Sequence, residues 1–187
     1  MANDLTRGNI LVVDTLGLLS RGPIWIKGFE FVPANAGDAF TLLHYKLVTP
    51  ITNSNVNVIA TITSTTTLTD DSAAVNKLTA AAFPQFSLLR IKKSTGSTEN
   101  TKNGGYFLIT TAGNDDRLIT SDAQWPLTNE ASKNYDLEAY VGTVAYQLLS
   151  PSTDKQSVGR SFGDPGLRFD NLAISVLTAG AKLYLYL

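Results

Sequence analysis

Apolar and polar positions alternate with a two-residue period along much of the chain, the signature of strands with one buried face. The alternation is clearest over Asn55 to Thr67. There Val56, Val58, Ala60 and Ile62 point one way, and Asn57, Ile59, Thr61 and Thr63 the other. The same pattern predicts strands over Asn9 to Asp14, Ile24 to Val32, Ala39 to Val48, Phe86 to Lys92 and Tyr106 to Thr111. Three more follow, over Tyr135 to Leu149, Asn171 to Leu177 and Lys182 to Leu187. Gly28 interrupts the alternation of Ile24 to Val32, and a glycine inside a strand marks a bulge. Pro33-Ala34-Asn35-Ala36-Gly37-Asp38 and Gly163-Asp164-Pro165-Gly166 read as turns. Ser94 to Gly105 reads as a long hairpin tip, and Pro151 to Gly166 as a second loop.

One helix is predicted. Asp70-Asp71-Ser72 offers capping side chains, Val75, Leu78 and Ala82 recur at helical spacing, and Pro84 stops the run. Such a short helix, over Ala73 to Phe83, needs a sheet to pack against. About nine strands and one helix exclude a parallel α/β sheet, which requires a crossover helix between most strands. The expectation is an all-β chain: an antiparallel β-sandwich or barrel, jelly-roll-like, with one short helix. A single domain over 1–187 is expected, with framework strands at about 9–48 and 167–187. An elaborated insertion lies between them at about 49–166, and 1–8 form an exposed arm.

Composition narrows the chemistry. Thr, Ser and Asn supply 49 of the 187 residues, which suits strands and turns better than helices. There is no cysteine, so disulfides, thiolate metal sites and cysteine nucleophiles are excluded. Fifteen Lys and Arg against sixteen Asp and Glu leave a net charge of -1, without the basic footprint of a nucleic-acid binder. Met1 to Arg7 carries an acid where a signal peptide needs a basic start, and no apolar run is long enough to span a bilayer. The expectation is a chain made and kept in a cytosol, with no membrane partner.

Candidate catalytic groups are few. His44, the one histidine, has no nucleophile in a suitable context and reads as structural or solvent-facing. Asp70-Asp71 is explained by helix capping, and Gly113-Asn114-Asp115-Asp116-Arg117 by a turn, since it lacks the spacing of a calcium loop. Gly159 to Gly166 is glycine-rich without the lysine and helix of a phosphate cradle. Arg90, Lys92 and Lys93 form a small basic cluster that a solvated strand end explains. Of Trp25 and Trp125, the second, before Pro126 in a loop, is the better binding candidate, although anchoring the loop accounts for it more simply. No catalytic, metal or cofactor-binding residue is expected.

The two ends are the most informative segments. Leu183, Leu185 and Leu187 face one way and Tyr184 and Tyr186 the other, so both faces of this last strand should be covered. A central sandwich strand and a subunit interface both satisfy that condition. Asn171 to Leu177 and the turn Thr178-Ala179-Gly180-Ala181 are expected to form a hairpin with it.

Met1-Ala2-Asn3-Asp4-Leu5-Thr6-Arg7, the strand ending Val13-Asp14-Thr15, and Ile24-x-Ile26-Lys27-x-Phe29 together resemble the start of a family of small structural proteins of tailed bacteriophages. Gly180-Ala181-Lys182-Leu183-Tyr184-Leu185-Tyr186-Leu187 resembles that family's closing strand. The resemblance covers about the first 45 and last 20 positions, and the middle departs from it. It implies a virion component on the capsid surface, a decoration or cement protein assembled in the host cytoplasm. Its implied partners are the phage major capsid protein and further copies of itself, a trimer among the arrangements considered. The residues that would make capsid or subunit contacts are Asn3, Leu5, Arg7, Tyr184, Tyr186 and Leu187. The alternative is a receptor- or glycan-binding module of a tail fibre or capsid surface, using Trp125 and the loops at 94–105 and 151–166. A carboxylate-dependent hydrolase is a third class and needs two convergent acids.

Overall fold

The computed structural model describes residues 9–71, 77–93, 103–114, 117–120, 125–149 and 155–187. These form sixteen strands, every pairing antiparallel, with no α-helix among the described residues. The chain divides into two compact units. One joins Met1–Tyr45 to Thr143–Leu187, and the other is Lys46–Gly142. The inserted part is thus narrower than the expected 49–166, and the single domain resolves into a sandwich and a barrel, each with its own core.

The sandwich contains β1 (Ile10–Val13), β2 (Gly17–Ser20), β3 (Ile24–Ile26), β4 (Gly28–Val32) and β5 (Ala39–His44). The barrel contains β6 (Val56–Ser64), β7 (Thr67–Asp70), β8 (Leu88–Lys93), β9 (Gly105–Asn114), β10 (Arg117–Thr120) and β11 (Glu130–Tyr140). The chain then returns to the sandwich with β12 (Thr143–Leu149), β13 (Val158–Ser161), β14 (Leu167–Phe169), β15 (Leu172–Leu177) and β16 (Lys182–Tyr186).

Two four-stranded sheets, β1-β16-β4-β13 and β12-β5-β15-β2, face one apolar core, and β14-β3 adds a two-stranded ribbon. Alternation selects the inward side chains: Leu11 and Val13, Phe29 and Phe31, Leu183 and Leu185 from the first sheet; Phe40, Leu42, Leu172 and Ile174 from the second. Phe29 and Phe31 meet Phe40 at ring-centroid distances of 5.4 and 5.0 Å, so aromatic contacts bind the two layers. The expected hairpin at the C-terminal end is not formed, because β15 and β16 belong to different sheets. Their inward leucines and isoleucine bury against the same core from opposite sides, and that shared burial outweighs edge-to-edge pairing.

The predicted strand Ile24 to Val32 divides at Lys27, where β3 joins the ribbon and β4 the large sheet. Gly28 makes the division workable, since a Cβ there would lie 2.6 Å from the Arg160 carbonyl oxygen. Gly28→Ala should therefore lower stability by roughly 1–2 kcal/mol through steric overpacking, readable as a reduced urea midpoint with unchanged slope. Val158–Ser161 pairs with β4 across the register Val158↔Phe31 to Ser161↔Gly28, placing a strand inside the segment expected to be loop. Four residues containing a glycine carry too little alternation to announce it.

The barrel closes in the order β10-β7-β6-β11-β8-β9. Its interior holds Val58, Ala60 and Ile62 from β6, as the alternation predicted, with Leu89, Ile91, Phe107, Ile109, Tyr135, Leu137 and Ala139. Side chains fill a barrel of this size. The Tyr135 hydroxyl donates to Glu130 Oε2 at 2.8 Å, and Asn103 bridges Glu130 and the Thr128 backbone. The helix expected over Ala73 to Phe83 is absent from its described part, Lys77 onward. Ala82 N–H and Phe83 N–H both donate to the Thr79 carbonyl, and the resulting turn sends Leu78, Ala82 and Phe83 into the barrel core. Burial of three apolar side chains outweighs alanine's helix preference. The Asp71 carboxylate accepts the Thr61 and Ser132 hydroxyls at 2.7 and 2.9 Å.

Candidate binding face of the sandwich

The outer face of β1-β16-β4-β13 collects several of the candidate side chains. β16 is a central strand, paired to β1 from Ile10↔Tyr186 to Val13↔Leu183 and to β4 from Lys182↔Val32 to Tyr186↔Gly28. Its inner side chains, Leu183 and Leu185, are fully buried. Tyr184 and Tyr186 stand on the opposite face, half-buried, flanked by Val12 and Ile10 on one side and Glu30 on the other. Of the two arrangements the sequence allowed for this strand, the central position is realised.

Glu30 sits between Phe29 and Phe31, so their burial turns it outward. Its Oε2 accepts the Tyr186 hydroxyl at 3.0 Å. That hydrogen bond holds the phenol's pKa above its ordinary value, with smaller contributions from burial and from the charges of Glu30 and Tyr184. Beside Tyr186, over β4 and β13, lies a cleft of about 400 Å³. Gly28, Gly159, Ser157 and Ser161 line it without bulky side chains, and Lys27, Glu30 and Tyr186 supply its larger groups. Lys27 Nζ lies 3.7 Å from Asp164. Arg160 reaches the cleft's lining, but its guanidinium lies over the Tyr146 and Phe162 rings at 5.8 and 5.9 Å.

Of the residues expected to make capsid or subunit contacts, Tyr184 and Tyr186 share this face. Leu187 is partly buried against the sandwich core, with its N–H donated to the Asn9 carbonyl at 2.7 Å. Asn3, Leu5 and Arg7 lie outside the described residues, as do Asp115 and Asp116 and most of the loop at 94–105. Lys27, Glu30 and the cleft glycines escaped sequence reasoning. Outward placement of Glu30 was readable from alternation, but the approach of β13 was not.

The remaining candidates fall elsewhere. His44 packs edge-on against Phe169, with centroids 5.5 Å apart, and its Nε2 accepts the Asp170 N–H at 3.2 Å, a structural use of the ring. Trp25 is the exposed tryptophan, 47% accessible on β3, whereas Trp125 is half-buried with its indole nitrogen enclosed. Anchoring therefore describes Trp125 better than recognition does. Arg90 and Lys92 both turn to Glu138. Among the described residues no group of three His, Asp or Glu side chains is placed to hold a metal ion, and no helix is long and apolar enough to cross a membrane. No protein-family model, curated protein or solved structure matches the chain.

Proposed function

We propose that this chain is a virion structural protein, a decoration or cement protein that binds the outer face of a tailed-phage head and performs no catalysis. The observation that carries the reading is the convergence of β1, β4 and β16 in one sheet. Val13, Phe29 and Lys182 to Tyr186, among the positions that bear the resemblance to phage structural proteins, are far apart in the chain yet lie in this one sheet, while Ile24 and Ile26 lie on the β3 ribbon. The expected arm at 1–8 leads directly into β1, an edge strand of that framework, next to Tyr184 and Tyr186. A rigid sheet that offers aromatic and apolar side chains beside an arm suits gripping a protein shell, since tyrosines supply large contact area at low entropic cost. The major capsid protein is the partner this reading requires, and self-association around a symmetry axis accords with it.

Deletion of residues 2–8 is expected to leave the melting temperature and circular dichroism spectrum unchanged while abolishing co-sedimentation with purified capsids. Capsid binding by the truncated protein at full-length affinity would refute the role given to the arm.

A further inference from the structure

We infer that the cleft over β4 and β13 is a binding site for a neutral saccharide. Three features of the cleft lead there. Its volume of about 400 Å³ falls in the range of small-molecule sites. Its base is low because Gly28 on β4 and Gly159 and Ser161 on β13 place no bulky side chain there, with Glu30 opposite Gly159. The backbone enforces Gly28, where a Cβ would meet the Arg160 carbonyl oxygen at 2.6 Å, and leaves little room at Gly159, where one would lie 3.2 Å from the Phe29 carbonyl oxygen. The same close approach that packs the strands therefore keeps this surface open.

The wall is aromatic and oriented. Tyr186 is tied to Glu30 by its hydroxyl, so its position is fixed before any ligand arrives, which lowers the ordering cost of binding. An aromatic ring presents an apolar face to the C–H side of a pyranose, while carboxylate and hydroxyl groups around it exchange hydrogen bonds with ring hydroxyls. Glu30 supplies acceptors, Lys27 donors, and Ser157 and Ser161 both.

Charge selects among ligand classes. Lys27 lies beside Asp164, the Arg160 guanidinium is turned toward two rings, and Glu30 is an acid, so the cleft lacks the excess of cations that a phosphate or nucleotide demands. Its polar rim is equally unsuited to an apolar molecule. A neutral ligand rich in both donors and acceptors fits what remains.

This inference shares Tyr186 and the outer face with the capsid reading, and different variants test the two. Labelled full-length protein is applied to an array of neutral oligosaccharides, and the strongest hit is titrated while backbone amide NMR shifts are followed. The amides of Gly28, Glu30 and Gly159 are expected to shift. Tyr186→Ala, which removes the wall, and Ser157→Trp, which fills the cleft from an exposed position, should each weaken binding by at least about tenfold. Trp25→Ala, on the ribbon, should leave affinity unchanged. Ser157→Trp avoids the core and tests the site even if Tyr186→Ala fails to fold. Absence of binding to every neutral saccharide, binding of inorganic phosphate alone, or saccharide binding indifferent to Ser157→Trp would overturn the assignment. Deleting residues 2–8 should abolish capsid binding and leave saccharide binding intact, so the two readings fail separately.

Discussion

A chain ending at Lys182 is expected to lose the fold of the sandwich entirely. The deletion removes Leu183 and Leu185, both fully buried, together with the strand that joins β1 to β4. Truncating one buried leucine to alanine costs about 2–5 kcal/mol, so losing two already approaches the whole stability of a small domain, about 5–15 kcal/mol. The unpaired edges of β1 and β4 add to the loss. The barrel has a separate core, so it should survive. Amide NMR should show collapsed dispersion for residues 10–45 and 143–182, with dispersed signals retained for the barrel strands. Native dispersion throughout the truncated chain would contradict the central role given to β16.

The second large effect is expected at Glu138 in β11. Its carboxylate is buried on the barrel's outer side, accepts a hydrogen bond from the Tyr140 hydroxyl at 2.8 Å, and pairs with Lys92 and with Arg90, the latter at 3.3 Å. Burial alone would raise its pKa. Hydrogen bonds from Lys92 and Tyr140, with the charges of Lys92 and Arg90, outweigh burial and hold it below the ordinary carboxyl value. Glu138→Ala leaves two neighbouring cations without their shared carboxylate and a buried hydroxyl without its acceptor. Complete burial of such a set would cost more, but Arg90 and Lys92 are 39% and 33% exposed and recover hydration. The expected loss is about 2–3 kcal/mol.

The pH dependence follows from the lowered value. Because the folded pKa lies below the unfolded one, the stabilisation is fully present above the unfolded carboxyl value, about 4.3. It disappears as pH falls through the folded value. Urea unfolding of a Trp25→Phe background, in which Trp125 reports on the barrel, should show stability falling on acidification. Glu138→Gln should be less stable at neutral pH and show a flatter acid limb. An unchanged acid limb in Glu138→Gln would show that another carboxylate sets it.

How far the fold could be read differed from element to element. β6 was legible almost residue by residue, because one of its faces is buried and the other meets solvent. β16 was legible for the opposite reason, since apolar or aromatic side chains on both faces announce cover on both. The run Tyr135 to Leu149 misled: it reads as one strand, yet β11 ends the barrel and β12 begins the sandwich's return. Alternation reports that a face is buried but not which core buries it, and only Val141 and Gly142 separate the two. Within the helix expected over Ala73 to Phe83, the described part from Lys77 departs from local preference, which the barrel core overrides in Leu78, Ala82 and Phe83. Within the candidate site, Tyr184 and Tyr186 stood out in the sequence, whereas the cleft did not, because glycines and serines have no pattern of their own.

By itself, the sequence determined the all-β class, the antiparallel habit and the faces of the strongest strands. Those follow from side-chain period and from a composition poor in helix formers, both local properties. The tertiary structure alone decided that β15 and β16 lie in opposing sheets, that the middle of the chain closes into a barrel, and that β4 and β13 meet over two glycines beside Tyr186. Each of those depends on pairing between residues distant in the chain, where shared burial rather than sequence neighbourhood selects the partner.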